Sequence, residues 1–307
     1  MPIVERDLWR LQFFEGIDCP DDVLIPTDDP DCWAWYPQQR WIYDKLRIAE
    51  SQGLACGPHG ILPERFPVFS KPMINLKGMG IGSRVMRTPS DFEHGYQPGH
   101  MWMELLTGPH VSTDCAIVDG TIAWSRHATG VPWTDGMFKH WTIHAEAMPE
   151  LDSRLSGWVG RHMRGYTGMM NFETIGGRII EAHLRFADQW CDLYGAGWVE
   201  ALVRLYAQQH WTFADAGRQD SFSIPLFAAH GAAFRHPPAE LQAEIRAMRS
   251  VTSLQITFHE NRDPADHPMP PGGFRLGIVN CTEHAAGMAA RRRLASVFPA
   301  ALIQHQD

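Results

Sequence analysis

A β-hairpin is predicted for residues 168–185, whose sequence is GMMNFETIGGRIIEAHLR. Apolar and polar residues alternate on both sides of the two glycines at 176–177, which is the period of a β-strand. On the second strand Glu181, His183 and Arg185 are spaced two residues apart, so their side chains should point to one face of the sheet. The hairpin therefore predicts a concentration of ionisable groups on a single face.

The loop of this hairpin decides whether Glu173, on the first strand, joins that face. A two-residue loop at 176–177 would pair Glu173 with Ile180 and separate its carboxylate from that of Glu181. A three-residue loop that includes Arg178 would pair the two glutamates, and glycine supplies the left-handed residue that such a loop needs. Two close carboxylates repel each other unless a cation lies between them, and magnesium prefers oxygen ligands. The alternative is a solvated strand face with a ladder of charges.

The composition excludes several classes of protein. The chain has 307 residues, a net charge of −8, 44% hydrophobic residues and no basic stripe, so a nucleic acid is not an expected partner. No apolar run reaches the roughly 18 residues that a membrane span needs. The six cysteines are scattered without a CxxC pair, which argues against a zinc site or a disulfide framework and fits a cytoplasmic protein.

The remaining periodicities predict a mixture of helices and strands, with a type I′ turn at Asp119-Gly120 inside the clearest hairpin. Residues 18–37 and the segment from residue 53 to residue 67 are interpreted as loops. Thr282 is the predicted N-cap of the last helix. The predicted helices are 3–14, 38–52, 148–165, 197–211, 238–248 and one that begins at 283, and the predicted strands are 23–25, 67–71, 83–87, 111–126, 221–230, 252–260 and 274–280.

A glycine-rich loop follows the strand that ends at Lys71. It contains the sequence KGMGIG, with glycines at 78, 80 and 82. Backbone N–H groups of such a loop can converge on an anion, and a lysine at the end of the strand can be directed at a phosphate. The loop joins two strands, so it matches neither a Walker loop nor a Rossmann fingerprint. The alternatives are a plain turn and a lysine that extends its charge to solvent.

Residues 103–106, MELL, precede Gly108 and are interpreted as a linker between two lobes. A linker of this kind can offer a backbone N–H and C=O to an adenine edge. Lys45 lies on the helix predicted for 38–52, where the simplest interpretation is a solvated side chain. Each of these features is weak evidence when it is taken alone.

Taken in order, these motifs resemble the ATP-grasp superfamily, nearest to its biotin-carboxylase-like branch of carboxylate–amine ligases. The resemblance runs from Lys45 to Arg185 and is weaker from 221 to 289. It implies an α+β ATP-grasp fold, in which two α+β lobes sandwich ATP, followed by a small C-terminal α/β subdomain. The implied divisions are a shortened N-terminal segment at 1–40, an ATP-grasp core at 41–190 with a flap lobe at 67–108 and a metal and phosphate lobe at 109–190, and a C-terminal part at 191–307.

The resemblance also implies roles for individual residues, with ATP and magnesium as cofactors. Glu173 and Glu181 would hold magnesium, and Arg185 would steady the acyl phosphate or its carboxylate. The residues implied for ATP are Lys45 and Lys71 at the phosphates, Gly78, Gly80 and Gly82 in a flap, Glu104, Leu105 and Leu106 at the adenine, and His110 near the ribose.

Two departures from the family pattern bear on these roles. His183 stands where the family usually has asparagine, and imidazole prefers softer metals than magnesium, so His183 is expected at phosphate or substrate instead. The family also usually begins with a Rossmann-like domain of about a hundred residues, whereas some 40 residues precede the helix of Lys45 here. Lys139 and His140 are further candidates for the substrate side.

The sequence thus predicts an ATP-dependent ligase that joins a small-molecule carboxylate to an amine through an acyl phosphate. The alternatives are a non-catalytic ATP-binding module and a phosphotransferase on the same fold. The first 40 residues are rich in aromatic side chains, which dominate cores and interfaces. We expect this segment to pack on the ATP-grasp body or on a second chain in a homodimer. The aromatic residues concerned are Trp9, Phe13, Phe14, Trp33, Trp35 and Tyr36.

Overall fold

The computed structural model describes residues 3–298 and 302–303. Short 3-10 helices at Leu8–Phe13, Arg40–Tyr43, Cys191–Tyr194 and Pro264–Asp266 connect the main elements. The strands and α-helices are, in chain order, β1 (Ile3–Val4), β2 (Ile25–Pro26), α1 (Asp29–Trp35), α2 (Lys45–Glu50), β3 (Cys56–Pro58), β4 (Val68–Pro72), β5 (Arg84–Met86), α3 (Pro89–His94), β6 (His100–Glu104), β7 (His110–Val118), β8 (Thr121–Pro132), β9 (Phe138–Ile143), α4 (Pro149–His162), β10 (Gly168–Ile175), β11 (Arg178–His183), α5 (Trp198–Gln208), β12 (Ser221–Ala228), α6 (Ala239–Arg246), β13 (Val251–Ile256), β14 (Phe274–Cys281) and α7 (His284–Ala295).

Two antiparallel sheets form the framework. The larger sheet has eight strands in the order β11-β10-β7-β8-β9-β12-β14-β13, so strands on both sides of residue 191 belong to one sheet. The smaller sheet has four strands in the order β3-β6-β4-β5. Residues 105–109 connect β6 of the smaller sheet to β7 of the larger one. The chain is therefore an α+β structure with two lobes joined by a short connection.

Helix α4 covers one face of the larger sheet. Its apolar residues recur at helical spacing and form one stripe, which is buried against the sheet. The ring of Trp158 lies 5.5 Å from that of Phe172 on β10. Because successive strand residues alternate between faces, the neighbours of Phe172 in β10 point away from α4. The face opposite α4 is therefore the one that carries Glu173.

The aromatic N-terminal segment packs on the body of the protein. Phe14 is 4% exposed and contacts Phe186 with its ring, and Trp9 contacts His259. Further along, Tyr36 contacts Tyr166 at a ring distance of 5.9 Å. These contacts give the segment a role within the chain, which was one of the two expected arrangements.

Several elements differ from the predictions, and local chemistry explains the differences. Residues 18–37 were interpreted as a loop, but they contain α1, which begins where the side chain of Asp28 accepts a hydrogen bond from the Asp31 N–H. The helix predicted at 38–52 is interrupted because Asp44 caps a new helix through its side chain. The N-cap of α7 is Glu283 rather than Thr282, and no side chain caps this helix.

Short elements were also missed in the segments between the predicted ones. These segments contain β3, α3, β6 and β9. Strands of three to six residues pair over too few positions to show a reliable alternation. The omission of β6 matters most, because Met103 and Glu104, which were interpreted as part of a linker, belong to this strand.

Candidate functional site

The two glutamates of the hairpin face each other across β10 and β11. The turn has two residues, Gly176 and Gly177, with φ of 56° and 76°, which is the shorter of the two loops that the sequence left open. A β-bulge instead shifts the register: Thr174 pairs with Ile179, and Glu173 then pairs with Glu181. The bulge leaves Ile180 without a partner in the ladder. Glu173 and Glu181 therefore face each other, which is one of the two arrangements that the sequence left open. A bulge in the second strand, and not a three-residue loop, brings them together.

The bulge also creates the contact of Lys71. Because Ile180 is unpaired, its carbonyl oxygen accepts a hydrogen bond from Nζ of Lys71 at 2.7 Å. Lys71 is only 3% exposed. Burial, together with the nearby charge of Lys45, lowers the pKa of Lys71 to about 8. A buried lysine with this pKa still carries its charge at neutral pH and is not a lysine that extends to solvent.

Lys45 is buried and paired, which corrects the interpretation of a solvated lysine. It is the first residue of α2, and its Nζ lies 2.6 Å from Oε2 of Glu181. Burial alone would raise the pKa of Glu181, but the charges of Lys45, His183 and Lys71 outweigh it and lower the pKa to about 2. Glu181 is therefore ionised at neutral pH.

His110 lies at the other glutamate. His110 is the first residue of β7, the strand next to β10, and its Nε2 lies 2.8 Å from Oε2 of Glu173. Burial would lower the pKa of His110, but the hydrogen bond and charge of Glu173 raise it. The same contact lowers the pKa of Glu173 against the effect of burial. The sequence placed His110 near a ribose, whereas the structure brings it to the carboxylate pair.

Asp29 joins His183 and Arg185, and sequence reasoning missed it. Its Oδ2 lies 3.0 Å from Nδ1 of His183 and 3.0 Å from a terminal nitrogen of Arg185. Its Oδ1 accepts a hydrogen bond from the hydroxyl of Tyr43 at 3.1 Å. Burial would raise the pKa of Asp29, but Arg185 and His183 lower it well below its ordinary value. One carboxylate thus holds both His183, on β11, and Arg185, in the segment that follows.

A second buried carboxylate, Asp114 on β7, also escaped the sequence analysis. It accepts hydrogen bonds from Nδ2 of Asn171 at 2.7 Å, from the hydroxyl of Tyr194 at 2.6 Å and from the N–H of Ala187 at 2.8 Å. Burial raises its pKa to about 6, although these three donors oppose the change. The one feature of the sequence that could have pointed to Asp114 was its partner Asn171, a polar residue two positions before Glu173. Asp114 ties the segment after β11 to the sheet.

The glutamate pair fits a hard divalent cation that also binds phosphate. Both side chains are ionised and directly opposite each other, and carboxylate oxygens are the ligands that magnesium prefers. Nδ1 of His183 is bound to Asp29. Within residues 3–298, no group of three or more His, Cys, Asp or Glu side chains is arranged to hold a metal ion by itself. The remaining ligands would therefore come from phosphate oxygens and water.

The glycine loop connects β4 to β5, as the sequence predicted. Gly78, Gly80 and Gly82 have φ between 65° and 77°, and Met79 also lies in the left-handed region, at 61°. Such a run of left-handed residues suits glycine, which bears no Cβ. A Cβ on Gly136, in the β8–β9 turn of the larger lobe, would lie 3.1 Å from the carbonyl oxygen of Met79. The loop therefore reaches across to the opposite lobe.

Three predicted residues surround the connection between the lobes. Glu104 is the last residue of β6, and its N–H donates to the carbonyl oxygen of Ala55 at 2.8 Å, so this N–H is not available to an adenine. Leu105 and Leu106 follow the strand. Backbone of the hairpin turn lies against this connection, because the N–H of Gly176 donates to the carbonyl oxygen of Pro109 at 3.1 Å.

Lys139 and His140 lie on β9, three strands away from β10 in the larger sheet. The ring of His140 contacts that of His284 at 4.7 Å. Burial lowers the pKa of His140, and the neighbouring His284 adds to the effect. The structure therefore places both residues on β9 and gives His140 a contact with His284, while their role on the substrate side stays a prediction.

Comparison with solved structures identifies the fold. No family model and no curated protein sequence matches the chain. The two lobes, one built on an eight-stranded and one on a four-stranded antiparallel sheet and joined by a short connection, define a class of two-lobed α+β folds. Within that class the chain has the ATP-grasp fold, as predicted, and its structural neighbours are ATP-grasp enzymes.

Three of these neighbours show the extent of the likeness. An L-amino acid ligase from Bacillus licheniformis superimposes with a TM-score of 0.63 at 11% identity, over 94% of this chain and 82% of that one. A carboxyaminoimidazole ribonucleotide synthase from Aspergillus clavatus, solved with ATP, gives 0.59 at 11% identity, over 85% and 74%. The biotin carboxylase domain of a Hydrogenobacter thermophilus 2-oxoglutarate carboxylase, solved as a dimer with MgADP and bicarbonate, gives 0.52 at 11% identity, over 88% and 68%.

None of the helices described between residues 3 and 298 has the length and apolar character that a membrane crossing would need.

Proposed function

We propose that the protein is an ATP-dependent ligase that joins a carboxylate to an amine and releases ADP and phosphate. The observation that carries the proposal is the pairing of Glu173 with Glu181 across the bulged hairpin, with Lys45 and Lys71 buried beside them. Phosphoryl transfer depends on positioning and on charge neutralisation, which need cations and metal-binding carboxylates rather than a protein nucleophile.

The two lysines are the phosphate ligands in this proposal. Lys71 donates one hydrogen bond to Ile180, and an ammonium group has three donors. Among the described residues, Nζ of Lys45 is held by its ion pair with Glu181 alone, so it can turn toward an incoming phosphate when that carboxylate binds a cation instead. Both lysines are buried, so their attraction for phosphate is screened less than at a surface. The flap with Gly78, Gly80 and Gly82 would cover the nucleotide.

Glu173 and Glu181 would hold magnesium together with the nucleotide phosphates. The ion would supply neutralisation of the charge on the transferring phosphoryl group. His110 keeps Glu173 ionised and oriented by its hydrogen bond. His183 is oriented by Asp29, so it takes no part in the oxygen ligand set that we propose.

Arg185 is the proposed contact for the acyl phosphate or its carboxylate. Its guanidinium uses one terminal nitrogen for Asp29 and the other for the carbonyl oxygen of Phe186. The ion pair with Asp29 raises the pKa of Arg185 against the effect of burial, so the group remains cationic. A guanidinium has five N–H donors, which leaves several for an anionic substrate. An amine would then attack the activated carboxylate and release phosphate.

The test is ADP release in a screen of carboxylates and amines, combined with the mass of the product. Glu173→Gln and Glu181→Gln should each lower turnover by at least a hundredfold and keep the fold, because each removes a charge that holds the cation. Glu93→Gln, at an exposed glutamate of α3, is the matched control and should keep full activity. Full ADP release by both hairpin variants would refute the proposal.

The same screen separates the alternative functions. A ligase requires both substrates, a phosphotransferase releases ADP without an amine, and a non-catalytic module binds ATP without releasing ADP. ATP binding is measured by the shift in melting temperature, since a ligand of the native state stabilises it by mass action. Lys71→Ala should remove most of that shift.

A further inference from the structure

A groove of about 440 Å³ lies on the side of the larger sheet that α4 covers, opposite the glutamate pair. It is bordered by α4, by the end of α2 and by the turn of the β10–β11 hairpin. Three arginines line it, Arg154 and Arg161 of α4 and Arg178 at the start of β11. None of its lining residues is an aspartate or a glutamate. The groove is thus a concentration of positive charge in a chain whose net charge is −8.

The three arginines line the groove with exposed side chains. Residues 154 and 161 are seven positions apart, so they lie on the same face of α4. A Cβ on Gly177 would lie 3.7 Å from Nη1 of Arg154, and one on Gly157 would lie 3.5 Å from Nη1 of Arg161. Within residues 3–298, the side chains of these three arginines have no hydrogen bond or ion pair. Like charges gathered in this way repel each other unless an anion lies among them.

The walls of the groove are held in place by buried hydrogen bonds. Gln52, after α2, accepts from the N–H of Ile179 at 2.8 Å and donates to its carbonyl oxygen at 2.8 Å. The indole of Trp158 donates to the hydroxyl of Ser51 at 2.9 Å. Trp158 is 2% exposed and forms the floor with Leu155. The cavity is therefore formed before any ligand arrives, which lowers the cost of binding.

We propose that this groove is a second binding site, for a small anion that bears two or more phosphoryl groups. Guanidinium groups match phosphate oxygens with paired hydrogen bonds, which makes arginine suitable for such ligands. The side chain of Ser153, also in the lining, adds a neutral donor. The site is separate from the nucleotide site proposed at Glu173 and Glu181, because it lies on the opposite face of the hairpin. It does not depend on the chemistry carried out there.

Calorimetric titration with pyrophosphate at constant ionic strength tests this site. Wild-type protein and the Lys71→Met variant, which lacks a phosphate ligand of the nucleotide site, should both bind pyrophosphate in the groove. Arg154→Ala combined with Arg161→Ala should weaken that binding at least tenfold. The control is Arg65→Ala combined with Arg249→Ala, which removes the same charge at exposed positions outside the groove. The control should change the affinity by less than twofold.

Two further measurements keep the test decisive. Arg154→Lys combined with Arg161→Lys retains the charge and loses the planar fork, so binding should be weaker than in the wild type. Citrate offers carboxylates in place of phosphoryl groups and should bind more weakly than pyrophosphate. An unchanged affinity in the Arg→Ala variant, an equal loss in the control or tighter binding of citrate would each overturn the proposal. Urea unfolding of each variant confirms that the protein titrated is folded.

Discussion

Replacement of Lys71 by methionine should separate the stability of the protein from its binding of nucleotide. Lys71 is buried, and its pKa is lowered from 10.5 to about 8 by burial first and by Lys45 second, against the opposing charges of Glu181 and Glu173. At any pH below 8 the folded protein therefore carries the full cost of holding this charge. The difference between the two pKa values corresponds to about 3 kcal/mol of unfolding free energy.

Lys71→Met removes that cost and introduces a smaller one. The carbonyl oxygen of Ile180 loses its donor, which costs about 1–3 kcal/mol when the oxygen stays buried. At pH 7 the variant should therefore match the wild type or exceed it by up to about 2 kcal/mol. Between pH 8 and 10.5 the folded protein has lost the proton of Lys71 while the unfolded chain retains it. Wild-type stability relative to the variant should rise by about 3 kcal/mol over that interval.

The assay is urea unfolding of both proteins at pH 7, 8.5 and 10, with ATP-induced shifts of the melting temperature measured at pH 7. Arg249→Met, at an exposed cationic residue outside the flap loop, is the control and should alter neither measurement. The ATP shift should disappear in Lys71→Met alone. A stability difference that does not change with pH, or a loss of more than about 2 kcal/mol at pH 7, would refute the assigned burial of the charge.

Three further predictions follow from single contacts. Asp29→Asn should destabilise the fold by about 3–5 kcal/mol in urea, because Arg185 loses its buried partner; equal stability would contradict this. Deletion of Ile180 should remove the bulge, keep Glu181 opposite Glu173 in a regular ladder and preserve the ATP shift; a lost shift would show that the carbonyl oxygen that the bulge offers to Lys71 is needed as well. Phe14→Ala should lower the unfolding free energy by about 3–5 kcal/mol, as measured by thermal denaturation; a change below 1 kcal/mol would show that the N-terminal segment is loosely packed.

Patterns of short period were readable from the sequence. Alternation predicted the β10–β11 hairpin and the β7–β8 hairpin, and both are confirmed at the level of strands. The facing carboxylates emerged as one of two registers, but the sequence offered only loop length as the deciding variable. A bulge at Ile180 decides it instead, and it leaves no mark on the alternation because it lies between two matched strands.

Local signals at the start of α1 were present and were outweighed by composition. Asp28 followed by Pro30 is the usual start of a helix, an N-cap and a proline in the first turn. The surrounding aspartates and prolines suggested a loop instead. The burial of Lys45 and Lys71 could not be read locally at all, because their partners lie on β11, more than a hundred residues away. The surroundings of these two lysines therefore could not be read from the sequence.

His183, which departs from the family pattern, is in direct contact with the N-terminal segment, which also departs from it. An imidazole placed beside Glu181 needs a partner for its other nitrogen, and that partner is Asp29, 154 residues earlier in the chain. Asp29 reaches the site only because α1 packs against the sheet, where Cys32 is completely buried and bonded to the carbonyl oxygen of Leu184. The segment before α2 therefore supplies a carboxylate to the face of the sheet that carries Glu181 and His183. An N-terminal part that only covered the sheet would not explain why this aspartate is buried in contact with both His183 and Arg185.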